Sequence, residues 1–447
     1  MAAAPNNSSN NSSAGKIVPS QYLLPFALVT TLFALWGFAN DITNPMVAAF
    51  KNVLLISNFE SSLVQAAFYG GYCFMAIPAA LFIRRAGYKR GILMGLALYV
   101  AGCLLFVPAG NAVQFWPFLM AYFIMTCGLA FLETTSNPLI LSLGDKETAT
   151  RRLNLAQAFN PIGSLTGMII AQVFVISAIR SDDFTTKAYN ALSSEELAAI
   201  RENDLGIISI PYIGLGVLVL VITVIIFFTK IPIPSEQNKM SLSASFKKLL
   251  ANKNYKRGVL TQAFYVGSQI MCWTYIFQYV DNLNDSLGLN LTATYFNVAA
   301  MISFLSGRWI GTILMRRINP AKLLMYFGLG GILCSVGTIL LQNIMGLISL
   351  VGISMFMSIM FPTIYGIALK DMGDEAKIGS AGLIMAIVGG ALMPVLQGSI
   401  LDWGGAGFAD VLIFGFIPEI NFSFILPLIC LTVVAYYGYS TFKTNKI

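Results

Sequence analysis

From Tyr22 onward the chain is a succession of apolar runs, each about as long as a bilayer is thick. A hydrocarbon core of about 30 Å takes roughly 20 helical residues per crossing, and in lipid every backbone amide has to be paired within the protein. Candidate helical spans fall at 22–49, 61–84, 90–109, 113–142, 154–178, 208–230, 258–280, 293–315, 321–341, 345–369, 378–400 and 420–441. Charge is too scarce for any other reading: 11% of the residues are charged and 57% hydrophobic, whereas a soluble domain carries roughly 25% charged residues. The mean hydropathy of +0.74 spreads that excess over the whole chain. The expected fold class is an all-α integral membrane protein with twelve transmembrane helices.

Lysine and arginine orient the spans, because connections on the cytoplasmic side are enriched in them. Arg84, Arg85, Lys89 and Arg90 follow the second span, six basic residues from Lys239 to Arg257 follow the sixth, and Arg316, Arg317 and Lys322 follow the eighth. The long connection after the fifth span is instead acidic, with Asp182, Asp183, Glu195, Glu196, Glu202 and Asp204. The alternation puts both termini in the cytoplasm. Residues 1–18, rich in Asn and Ser, are expected to be a disordered cytoplasmic tail, and the first span is too long for a cleaved signal segment. Residues 231–257 would be a cytoplasmic linker between an N-terminal six-helix bundle at 19–230 and a C-terminal one at 258–447.

A repeat supports that division. Leu81-Phe82-Ile83-Arg84-Arg85 ends the second span as Ile313-Leu314-Met315-Arg316-Arg317 ends the eighth, and Leu143-Gly144-Asp145 is echoed by Met372-Gly373-Asp374. Two pseudo-symmetric six-span halves joined by a basic loop resemble the major facilitator superfamily. Ala79 to Arg90 is similar to that superfamily's loop motif G-x-x-x-D-R-x-G-R-[RK], with Arg84 at the acidic position.

Some chemistry is excluded outright. The chain has no histidine, so imidazole ligands, triads and proton relays are absent, and the six cysteines lie in apolar runs without a C-x-x-C pair, which fits neither a disulfide nor a zinc framework. No metal and no cofactor are expected. The net charge of +7 is dispersed over membrane loops, so no nucleic-acid partner is expected either; the lipid bilayer is the surrounding medium.

Charges inside apolar helices cost roughly 2.5–3.5 kcal/mol each on insertion scales. Three stand out: Asp41 in the first span, Glu133 in the fourth and Arg308 in the eighth. A carboxylic acid in low dielectric favours its neutral form and can exchange a proton near neutral pH, which makes Glu133 and Asp41 candidates for proton coupling. Arg308 is a candidate structural charge, pairing with an acid as a strut. Around these gather amides (Asn40, Asn44, Gln65, Asn137, Gln157, Asn160, Gln262, Gln269) and aromatics (Trp36, Tyr69, Tyr72, Tyr265, Trp273, Tyr275, Phe361, Tyr365). Amides and carboxylates bind hydroxyl edges, and aromatic rings stack on C–H faces. A monosaccharide presents both. Pro45, Pro138, Pro161 and Pro362 are expected to break their helices where backbone could face a cavity.

At these residues the chain resembles the fucose:proton symporter family of the same superfamily. The resemblance rests on Gln65-Ala66-Ala67-Phe68-Tyr69, on Leu132-Glu133-Thr134 with Asn137-Pro138, and above all on Arg152 to Asn160 (RLNLAQAFN). The second half adds Tyr265 to Gln269, Cys272-Trp273, Gly307-Arg308 and Phe356 to Ile364. It implies uptake of L-fucose or a related sugar driven by a proton gradient, with Glu133 at the family's membrane-embedded glutamate and Asn160 at its sugar-facing asparagine. In the first span the family's aspartate falls at Asn44: either the acid has moved one turn to Asp41, which is the reading favoured, or Asp41 packs locally and coupling rests on Glu133 alone. A family tyrosine is here Phe361, and Tyr365, one turn on, is the candidate replacement for its hydroxyl.

The function expected is a proton-coupled symporter that imports a monosaccharide by alternating access, acting as a monomer in the bacterial cytoplasmic membrane. The expected substrate site comprises Asn40, Asn44, Gln65, Glu133, Gln157, Asn160, Tyr265, Gln269, Trp273, Phe361 and Tyr365. A passive or sodium-coupled sugar transporter of the glucose/galactose type is the alternative; an embedded lipid-modifying enzyme lacks supporting motifs, and the amide-rich centre weighs against a drug exporter.

Overall fold

The computed structural model describes residues 17–56, 58–181, 192–231, 242–401 and 411–444. Residues 1–16 of the expected terminal tail and 232–241 of the expected linker therefore lie outside the described residues. What remains is almost wholly helical, apart from a two-stranded hairpin pairing Leu412–Ile413 with Ile417–Pro418. Among the described residues, eleven helical units are long and apolar enough to cross a membrane.

The remaining crossing is span seven, formed by Lys253–Thr274 and Ile276–Leu287. It starts with Lys253, Lys256 and Arg257, carries Gln262 and Gln269 in its middle, and ends past Asp281 and Asp285. That polar load conceals a helix which tertiary packing nonetheless holds, and it runs beyond the expected 258–280 at both ends. Polar caps begin several spans. Asn252 accepts the Tyr255 amide at 3.0 Å before span seven, and Asn343 accepts the Met345 amide at 2.9 Å before span ten. Span six opens with a reciprocal Ser193–Glu196 capping box, which satisfies two amide donors that a helix start leaves unpaired.

Spans are broken where proline removes a donor, with an exception. Span five consists of Ala149–Gln157 and Asn160–Ile170, with Pro161 at the start of the second piece. A proline nitrogen cannot donate to the carbonyl four residues back, so the Gln157 carbonyl is left free. Span ten is likewise split, into Ile344–Met357 and Met360–Ala368, just ahead of Pro362. Span four, by contrast, runs unbroken from Phe115 to Ser142 through Pro138, and span one is one helix, Leu23–Leu54, through position 45. The expected breaks there do not form, because neighbouring helices clamp span four, almost all of whose second half is buried.

Spans one to six pack chiefly on one another, as do spans seven to twelve. The bundles meet where the first helix of span eleven, Ala376–Met385, lies on spans two and four, and where Met360–Ala368 and Ala293–Leu314 (span eight) lie on span five. Three of the joining contacts are a buried Asn154 Nδ2 to Thr363 Oγ1 hydrogen bond of 3.1 Å, the Lys377 ammonium 5.2 Å from the Tyr88 ring centre, and an exposed Lys146–Asp371 ion pair at 3.7 Å. All lie towards the face that carries the arginine- and lysine-rich connections, called the basic face below.

Candidate functional site

Where the two bundles face each other, above those contacts, lies a cavity of about 130 Å³. A space of that size holds about ten water-sized groups, the scale of a pyranose ring with its hydroxyls. Span one supplies Phe33, Trp36, Asn40 and Asp41, span two Tyr69 and Tyr72, span four Glu133, and span five Gln157, Asn160 and Ser164. The second bundle supplies Tyr265, Gln269 and Trp273 from span seven, Phe304 and Arg308 from span eight, and Phe361 from span ten. Both acids sit on the first bundle and the cation on the second.

Glu133 is 2% exposed. Its carboxyl lies beside the Tyr72 hydroxyl, and that hydroxyl accepts the Trp36 indole N–H at 2.7 Å. Its Oε2 has no hydrogen-bond partner. A buried carboxyl with an unpaired oxygen, on a residue that lines a cavity, is equipped to hold a proton or to accept a ligand hydroxyl. The backbone beneath it is tied into a polar string: Asn137 donates to the Glu133 carbonyl at 3.0 Å, and Gln157 donates to Asn137 Oδ1 at 2.8 Å. Asp41 is 3% exposed and lies within electrostatic range of the Tyr69 hydroxyl. Asn160 donates to the Phe33 carbonyl at 3.1 Å, which leaves its amide oxygen available to the cavity.

Arg308, 2% exposed, does not form the acid-paired strut expected from the sequence. Its Nη1 donates to the Gln157 carbonyl at 3.1 Å, and its guanidinium lies 5.0 Å from the Phe304 ring centre. The reason is local: Pro161 frees that carbonyl, and the break in span five presents it to the opposite bundle. Trp273 is fixed by its indole N–H to Ser354 Oγ at 3.1 Å and by edge-on packing against Phe304 at 5.3 Å. Tyr265 meets Phe361 edge-on at 6.2 Å.

The cavity thus brings together Asn40, Asp41, Glu133, Gln157, Asn160, Tyr265, Gln269, Trp273, Arg308 and Phe361. The side chains of Asn44 and Gln65 lie outside the described residues. Tyr365 is a correction: it does not line the cavity but stacks behind Phe361, ring centres 6.3 Å apart, fully buried. A turn of about 100° per residue carries position 365 around from the face that holds 361 by some 40°, enough to bury it against the neighbouring helices. Tyr72 and Phe304 belong to the site and were not assigned to it from sequence. The three-residue step from Tyr69 to Tyr72 and the four-residue step from Phe304 to Arg308 would have placed each pair on one helical face.

Residues 28–397 match the Major Facilitator Superfamily. The chain is 49% identical over 436 residues to the L-fucose-proton symporter of Haemophilus influenzae, covering 96% of this chain and 99% of that one. It is 32% identical over 431 residues to a glucose/galactose transporter of Brucella abortus, covering 94% and 95%. Among solved structures it is similar to the E. coli fucose:proton symporter FucP, with a TM-score of 0.82 and 30% identity over 94% of this chain and 99% of that one. With a polar, acid-bearing cavity between two helical bundles and full-length likeness to sugar symporters, this chain belongs to the fucose:proton symporter family of the major facilitator superfamily.

Proposed function

We propose that the protein carries L-fucose, or a closely related monosaccharide, together with a proton across the bacterial cytoplasmic membrane, with both termini and the basic face in the cytoplasm. The observation that carries this is Glu133: a buried carboxyl beside the Tyr72 hydroxyl, in the lining of the cavity between the bundles, with its Oε2 without a hydrogen-bond partner. In the outward-facing state Glu133, assisted by Asp41, takes up a proton. Neutralising the acid lowers the cost of enclosing it and leaves a donor for a sugar hydroxyl. Asn40, Gln157, Asn160 and Gln269 bind hydroxyl edges, while Trp36, Tyr265, Trp273 and Phe361 pack on the sugar's apolar face. Arg308 links the bundles across the bound sugar. Coupling requires only that sugar and proton favour the same state. The protein works as a monomer, and the proton is its only coupling partner.

The test is uptake of labelled L-fucose into proteoliposomes with a pH electrode outside. Addition of sugar should alkalinise the medium, a protonophore should abolish accumulation, and replacing sodium should change nothing. Glu133→Gln should lose accumulation while still exchanging internal for external sugar. Full accumulation by that variant would refute the role of Glu133, and sodium-dependent uptake without alkalinisation would favour the sodium-coupled alternative.

A further inference from the structure

Span seven repeats span one, and one of its residues departs from the repeat. A Cβ on Gly163 would fall on the Ala34 carbonyl, and a Cβ on Gly389 would fall on the Ala263 carbonyl in the same way, so Ala263 is the counterpart of Ala34. Phe33, Trp36 and Asn40 then correspond to Gln262, Tyr265 and Gln269, at the same spacing. Five of these six line the central cavity. Gln262 does not, although at 100° per residue it lies within about 20° of both Gln269 and Trp273 around the helix. It is 0% exposed, and neither its amide nitrogen nor its amide oxygen has a hydrogen-bond partner among the described residues. An amide taken from water and left unpaired on both atoms carries the full penalty of desolvation, so its presence calls for a partner in another state. The second piece of span ten covers this stretch of span seven. Tyr265 meets Phe361 edge-on at 6.2 Å, and a Cβ on Gly258 would fall on Ala368; Gln262 lies between these two contacts. The covering piece, Met360–Ala368, also carries Thr363, whose bond to Asn154 ties the bundles together towards the basic face. A break after Met357 separates it from the rest of span ten.

We propose that Gln262 is a sugar-binding residue of the state open on the basic face, an exit subsite on the way out of the cavity. As the Asn154–Thr363 bond parts and Met360–Ala368 swings off span seven, the amide is uncovered about 10 Å along the helix from Gln269, at 1.5 Å per residue. Its N–H donates to one hydroxyl and its oxygen accepts from the next, a pairing that two neighbouring hydroxyls of a pyranose offer. At this position the sugar binds the opened state better than the closed one. A ligand favours whichever state it binds better, so the bound sugar draws the basic face open. The proposal rests on the sugar-carrier reading above and not on its proton coupling.

The test is L-fucose counterflow in right-side-out and inverted membrane vesicles, with a protonophore and equal pH on both sides so that coupling plays no part. Gln262→Met keeps the length of the side chain and removes the amide. The half-saturating L-fucose concentration should rise about tenfold when sugar is offered at the basic face, the loss expected for one to two hydrogen bonds. Offered at the opposite face, it should stay within about twofold. A change in closure alone would shift every sugar equally, so analogues of L-fucose each lacking one hydroxyl are compared. For the analogue without the hydroxyl that Gln262 holds, the variant and the unmodified protein should half-saturate alike at the basic face, as in a double-mutant cycle. Equal losses for every analogue overturn the proposal, and so does an unchanged affinity at the basic face or an equal rise at both faces. Should Gln262→Met fail to reach the membrane, Gln262→Cys answers instead. A water-soluble thiol reagent at the basic face should modify it beyond the level set by the native cysteines, and L-fucose should slow that modification; no modification, or none that the sugar slows, overturns the proposal. An unmodified protein that carries L-fucose from neither face overturns the sugar-carrier reading and the exit subsite with it.

Discussion

The acids and amides of the cavity were readable from the sequence because each is costly where it stands. Asp41 and Glu133 are short acids inside long apolar spans and cannot reach an interface, so a helix position alone marks them. Tyr72 carries no such mark: in an apolar helix a tyrosine looks like packing until its hydroxyl's partners are known. Yet it joins the Trp36 indole to the Glu133 carboxyl, with the indole bond at 2.7 Å. Tyr72→Phe removes an acceptor from one group and a donor from the other while preserving shape. A buried hydrogen bond is worth about 1 kcal/mol net, so L-fucose binding should weaken about fivefold. Quenching of tryptophan fluorescence during sugar titration measures this; unchanged affinity would mean that the string does not orient the site.

Helix breaks were only half legible, and the reason lies in context. Pro161 and Pro138 look alike in sequence, each following an asparagine. Pro161 opens a new helical piece and frees a carbonyl that Arg308 takes, whereas Pro138 is carried through inside a buried helix. Proline dictates the missing hydrogen bond, and packing decides whether the helix yields. The approach of spans one and five also depends on glycine: a Cβ on Gly163 would fall on the Ala34 carbonyl oxygen, and one on Gly37 would fall on the Asn160 carbonyl. Small residues that let backbones touch are how helices associate in lipid. Gly163→Leu should push span five outward, cost about 1–3 kcal/mol, pull Asn160 off the Phe33 carbonyl and nearly abolish uptake. Gly206, with nothing within 4 Å of an added Cβ, supplies the control: Gly206→Leu should keep both uptake and the melting temperature measured in detergent. Equal loss by both variants would show that bulk alone, and not the contact between spans one and five, is responsible.

At the scale of the whole molecule, the twelve-span layout and its division into two bundles followed from run lengths and the arginine-bearing repeat, but the manner of closure did not, because it depends on residues more than two hundred positions apart. Two polar contacts offer themselves as the closure of the basic face, and their magnitudes separate them. The Lys146–Asp371 pair spans 3.7 Å with side chains 81% and 62% exposed; such a pair contributes at most about 1 kcal/mol and is screened by salt. The Asn154–Thr363 bond is 3.1 Å long and buried, and breaking it by removing one partner leaves the other unsatisfied at roughly 1–3 kcal/mol. Because 1.4 kcal/mol is about a tenfold change in a conformational equilibrium, Asn154→Val should shift a measurable fraction of molecules to a form open on the basic face. Asp371→Asn should not. Spin labels on cysteines replacing Glu147 and Lys370, which flank the cleft from opposite bundles, make this visible by pulsed electron resonance. Asn154→Val should add a longer-distance population that L-fucose redistributes, and Asp371→Asn should leave the distribution unchanged. The reverse result would assign the gate to the surface ion pair and remove the buried amide from the transport cycle.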